Sequence, residues 1–196
     1  MCKLFSSLLI VLFLFSCGQK KDSAAVVSQT GIQVNKTDSF FPVTSYLKGQ
    51  LRIIDSLPVS PLHTVTINHK TDSFWIKREA LRPLLQFFLT PEITETNLIS
   101  LFKQTSFNDL TLNAFTLTYD PIDKLPDTMQ LQHWDIYIDP DKGSVSKIYL
   151  VKTDKKNKLT YQLTWQSDKR AKIITILHQS TGNDTVIKEE QFVWDF

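Results

Sequence analysis

From Phe107 onward the apolar residues recur at every second position, and this change of period constrains the fold more than any other feature of the chain. Six strand-like segments follow, near 107–119, 130–138, 145–152, 158–166, 171–178 and 185–195. Turn-forming residues divide the later ones: Asp139-Pro140-Asp141-Lys142-Gly143, the stretch 154–158, Ser167-Asp168-Lys169 and Thr181-Gly182-Asn183-Asp184. Consecutive strands joined by such short connections must be antiparallel neighbours, because a parallel pair needs a crossover of a dozen residues or more. The expected sheet is a meander.

Alternation within the strands sets the number of layers. Leu159, Tyr161, Leu163 and Trp165 alternate with Thr160, Gln162 and Thr164, which gives one buried and one wet face. Trp134, Ile136 and Ile138 do the same, set against either Gln130 and Gln132 or His133 and Asp135. Ile173, Ile174 and Ile176 occupy both faces of their segment, as a curved sheet allows.

The first half of the chain has a helical period instead. Val43, Leu47, Leu51 and Ile54 recur at steps of three and four, after Pro42 and before Pro58 and Pro61. A hairpin follows, with His63, Val65 and Ile67 on the first arm, a turn over 68–72, and Phe74-Trp75-Ile76 on the second. A second helix is expected over 78–89, its regular part starting at Pro83, and a third from Glu92 or Thr94 to Lys103 with Thr94 as its cap. The fold class expected is therefore α+β: two layers, with N-terminal helices and a hairpin packed on one face of a mainly antiparallel, meander-type sheet.

The N-terminus has a different character. One basic residue, Lys3, precedes an apolar run over 4–15, which is shorter than the roughly 20 residues that span a bilayer. Leu14, Ser16 and Cys17 close it in a pattern that resembles the lipobox of bacterial lipoprotein signals, with Phe15 departing from the small residue usual there. The resemblance implies that residues 1–16 are a signal peptide, that Cys17 carries diacylglycerol and a further acyl chain such as palmitate, and that the protein is held to a membrane through Cys17. Two or three chains, at about 0.8 kcal/mol per buried CH₂, make such an anchor effectively permanent. It further implies the cell envelope, at the outer membrane on its periplasmic face or at the cell surface. Residues 17–38, polar and without apolar period, read as the lipidated cysteine and a flexible tether of about 25 Å root-mean-square span, and residues 39–196 as a single α+β domain.

Composition excludes several classes. Of the two cysteines, Cys2 leaves with the signal and Cys17 is acylated, so the domain must stand without a disulfide. The formal charge of +2 falls to about +1 without Lys3, too balanced for a nucleic-acid binder, which would carry a basic stripe. Five glycines and no Gly-x-Ser-x-Gly leave neither a phosphate loop nor a serine elbow. His63, His69, His133 and His178 lie at no metal-ligand spacing, so no metal or cofactor is expected. Asp139, Asp141 and Gly143 hint at a calcium loop, but Pro140 and Lys142 fit a hairpin turn of three or four residues.

His133 and Asp135 are the catalytic candidates, since residues two apart on a strand share a face and a carboxylate beside an imidazole orients it for acid–base work. A solvated strand face explains the same pair. The aromatics Phe74, Trp75, Phe87, Phe88, Phe107, Phe115, Trp134, Tyr161, Trp165 and Trp194 either fill a core or line a pocket for an apolar ligand. The function expected is a non-catalytic binding or structural module on a lipid anchor, monomeric, with an envelope protein as partner. The alternative is a carrier of a lipid or other apolar ligand, and the third choice a hydrolase.

Overall fold

The computed structural model describes residues 40–179 and 182–194, which belong to one compact unit, Thr37–Phe196. The leader, Cys17 and the tether lie outside the described residues.

Helix α1, Val43–Ser56, forms where the apolar stripe predicts it, with Pro42 at its N-cap and Val43, Leu47, Leu51 and Ile54 buried. The hairpin pairs β1, Leu62–Ile67, with β2, Lys70–Trp75. Its turn is shorter than 68–72: Asn68 and His69 alone make it, both at positive φ (49° and 64°), the geometry of a two-residue turn that matches strand twist. Helix α2, Arg78–Leu84, begins five residues before Pro83 rather than at it, and gives way to a 3₁₀ turn at Gln86–Leu89.

The third expected helix does not form. Its backbone is committed elsewhere: Ile93 N–H donates to Thr44 Oγ1 (2.7 Å), the Ile93 carbonyl accepts from Thr44 N–H, and the Glu95 carbonyl accepts from Phe40 N–H. An N–H or C=O bonded outward is unavailable to a helical ladder. Thr94 and Asn97 do exchange the cap-like bonds of a helix start, but the chain makes only a turn there and enters β3, Phe102–Asp109.

The segment read as one strand over 107–119 is likewise two. A turn over 110–113 separates β3 from β4, Ala114–Pro121. After it come β5, Leu131–Asp139, β6, Ser144–Asp154, β7, Leu159–Gln166, β8, Arg170–His178, and β9, Asp184–Val193. Among the described residues these make one open antiparallel sheet of nine strands in the order β2-β1-β9-β8-β7-β6-β5-β4-β3, a meander from β3 to β9 with the β1–β2 hairpin added beside the last strand.

Three of the hairpin turns share one device. Asp109, Asp139 and Asp154 each end a strand and accept, through Oδ1, backbone N–H groups two or three residues ahead. Each is followed four residues later by a residue at positive φ: Asn113 (46°), Gly143 (63°) and Lys158 (54°). The loop at 140–143 thus has four residues, and Asp139 serves the turn by these bonds.

Residues directly opposite one another in an antiparallel sheet share a face. The row Tyr119–Trp134–Leu150–Leu163–Ile173 lies on one face and is buried. Trp134 stacks on Tyr119 (4.6 Å, 10°) and meets Phe40 and Phe102, while Phe88 stands edge-on to Trp165 (5.6 Å). Side chains of α1, α2 and the 3₁₀ turn belong to the same continuous core. Polar bonds add to it: Tyr46 donates to the Val145 carbonyl, and Tyr119 Oη accepts from Phe41 N–H.

Candidate functional site

The opposite face carries the row Thr118–Asp135–Tyr149–Thr164–Lys172, which is polar throughout. A bulge decides which residues of β5 stand on it. Leu131 pairs with Lys152 and His133 with Val151, so Gln132 is the extra residue. Leu131 is therefore buried, while His133, Asp135 and Tyr137 face outward, an outcome that strict alternation from Leu131 would have reversed. A second shift between Tyr137 and Ile138 leaves Ser146 extra on β6 and keeps Lys147 beside Tyr137.

The structure brings His133 and Asp135 together and adds two residues that the sequence did not single out. His133 Nε2 lies 3.0 Å from Asp135 Oδ2, its Nδ1 lies 2.8 Å from Asp120 Oδ1, and Thr118 donates to Asp135 Oδ1 at 2.6 Å. The hydrogen bond to Asp135 raises the imidazole above its ordinary value, against partial burial and with help from Asp120. Burial pushes the Asp135 carboxyl up, but the bonds from His133 and Thr118 outweigh it and leave the group below the usual carboxylate range. With a carboxylate on each nitrogen, the arrangement favours an imidazolium that donates twice, which holds no lone pair for a general base. Asp120 was findable only with the register of β4 against β5, since thirteen residues separate it from His133.

Around this group stand Tyr137, pushed up to about 12 by burial and by the charges of Asp135 and Asp109, and Lys147, lowered by burial, with Nζ 3.6 Å from the centre of the Tyr137 ring. Tyr137 and Lys147 also open the wall of a groove of about 520 Å³ that runs to the turns at 140–143 and 167–169, past Asp139, Lys142, Asp168, Lys169 and Arg170.

The other histidines lie apart. His63 is buried, stacked on Phe192 (4.2 Å), and burial lowers it despite Glu190 nearby. His69 forms the β1–β2 turn. His178 takes part in an array that sequence reading missed: Thr160 Oγ1 lies 2.7 Å from its Nε2, and its Nδ1 lies 2.8 Å from Asp184 Oδ1. Hydroxyl, imidazole and carboxylate in that order can activate a nucleophile. Here they stand on an open strand face, with the His178 side chain 40% exposed and Asp184 57%, where water competes for every bond. Among the described residues no group of three or more His, Cys, Asp or Glu is placed to hold a metal ion.

The ten aromatics do not gather around one space. Phe88, Trp134, Trp165 and Trp194 are buried in the core, whereas Phe74, Trp75 and Phe107 are exposed. No helix among the described residues is long and apolar enough to cross a membrane. Comparison of the chain with protein-family models, with curated proteins and with solved structures returns no match.

Proposed function

We propose that this protein is a lipoprotein of the cell envelope, anchored to the outer membrane through acylated Cys17, whose two-layer domain, with its helices laid on one face of the sheet, acts as a non-catalytic binding module. The single observation that supports the reading best is where the molecule puts its apolar and polar surfaces. Trp134 packs on Tyr119 and Phe88 on Trp165 within one core, and the groove of about 520 Å³ opens instead on the polar face. A carrier of an apolar ligand needs the reverse, a largely apolar concavity. Four cations (Lys142, Lys147, Lys169, Arg170) and two carboxylates (Asp139, Asp168) line the groove, an excess of two positive charges that suits a partner surface bearing acidic groups. His133, with a carboxylate on each ring nitrogen, serves this face as a hydrogen-bonded, oriented group rather than as a base.

The anchor is tested by labelling cells with a fatty-acid probe: label is expected on the wild type and lost in Cys17→Ser, and unchanged label would end the assignment. The binding face is tested by a photo-crosslinker placed at Tyr149 in cells. A discrete envelope partner whose yield falls in Lys147→Glu supports the module; diffuse products insensitive to that change oppose it.

A further inference from the structure

The open sheet leaves two edges, and they differ. On β2 the charges Lys70 and Asp72 stand on the same face as His63 and the buried core row, a placement that discourages another strand from docking. On β3 nothing of the kind is present. Its eight residues pair with β4 in unbroken register without a bulge, contain no proline, and are exposed from Lys103 to Asn108. A long, regular edge that no other described strand covers is a template for a further strand.

Among axes through the three central residues Thr105, Ser106 and Phe107, one suits self-pairing. In a two-fold antiparallel pair, opposite residues must share a face, so the axis must pass through a residue and not between two. An axis at Thr105 sets Lys103 against Phe107 of the second copy, and an axis at Phe107 sets Thr105 against Asp109. An axis at Ser106 sets Lys103 against Asp109 twice, Gln104 against Asn108 twice, Thr105 against Phe107 twice, and Ser106 against itself. On the outer face the two Phe107 side chains, each 49% exposed, then become diagonal neighbours, a separation that aromatic rings bridge.

We propose that β3 is a homodimerisation edge at which two copies of this chain join their sheets antiparallel about Ser106, with reciprocal Lys103–Asp109 ion pairs. This departs from the monomer expected from sequence, and it stands whether or not Cys17 is acylated.

The test uses the full chain with Cys2→Ser and Cys17→Ser, in mild detergent, under a thiol oxidant. Ser106→Cys places two sulfurs at the axis within disulfide reach, and cross-links to itself at least about tenfold faster than Gln104→Cys or, on the other edge, Thr71→Cys. Lys103→Glu sets two carboxylates against Asp109 and slows Ser106→Cys cross-linking by about fivefold. Asp109→Asn, which keeps the Oδ1 acceptor for the turn, restores much of that rate when combined with Lys103→Glu; recovery separates a charge effect from misfolding. Equal rates at residues 71, 104 and 106, cross-links only to a foreign chain, or no response to Lys103→Glu would overturn the proposal.

Discussion

The amine of Lys152 lies 4.1 Å from the centre of the Phe87 ring and donates a hydrogen bond to the carbonyl of that same residue. It also donates to the Thr90 carbonyl, so one buried lysine on β6 closes the end of the 3₁₀ turn. Burial lowers its pKa from 10.5 to about 7. Between those values the unfolded chain holds a proton that the folded chain has released, so stability rises with pH across that window and is flat below it. In Lys152→Met this contribution, at most about 1.4 kcal/mol per pH unit, disappears. Urea midpoints of the two proteins measured across the window should diverge in slope; parallel curves would refute the argument.

His133 has the opposite sign. Its folded pKa is raised above 6.5, so its contribution is complete below the unfolded value and is lost as pH rises through the folded one. The stability difference between wild type and His133→Gln should therefore be largest, about 1 kcal/mol, in mild acid and shrink toward alkaline pH. Titration of the His133 ring protons by NMR gives an independent reading, expected above the ordinary histidine value.

Trp134 touches Tyr119, Phe40 and Phe102 and is fully buried. Trp134→Ala removes these contacts and leaves a cavity in a domain with no described disulfide, at a cost of about 3–5 kcal/mol in chemical denaturation. A loss below about 1 kcal/mol would mean that the core closes over the gap.

Gly143 stands at φ 63° with open space where a Cβ would be, so Gly143→Ala costs only the backbone strain, about 1 kcal/mol. Asn113, in the same place of its own turn at φ 46°, tolerates that conformation better than most residues, so Asn113→Gly should change stability by a few tenths of a kcal/mol. Thermal melts of the pair rank the two positions.

What the sequence revealed and what it hid follow from how local each signal is. The stripe Val43–Leu47–Leu51–Ile54 predicts α1 because one helix face and one core coincide. The open antiparallel sheet follows from short turns, and so does the pairing of consecutive strands. Ile93, Leu98, Leu101 and Phe102 imitate that helical spacing, yet Ile93 and Leu98 are buried from an irregular segment clipped to Thr44. Leu110 and Leu112 hid the β3–β4 turn, being apolar where turns are polar and exposed at 85% and 53%. The spacing of Asp109 to Asn113, equal to that of Asp139 to Gly143, was the signal that would have exposed it. The pairing of His133 with Asp135 was legible from their spacing. Asp120, Thr160 and Lys152 were not, because each finds its partners across strands or at the 3₁₀ turn.

The addition of the β1–β2 hairpin beside β9 has a consequence for how the chain matures. Beyond its own hairpin, β1 has its one sheet neighbour in β9, so the hairpin cannot join the sheet until residues near 190 have emerged. A chain halted before that point holds a hairpin too small to stand alone, with the place of β9 beside it empty. The arrival of β9, rather than any earlier milestone, is the event that licenses this architecture, because it stitches the first described strands to the last.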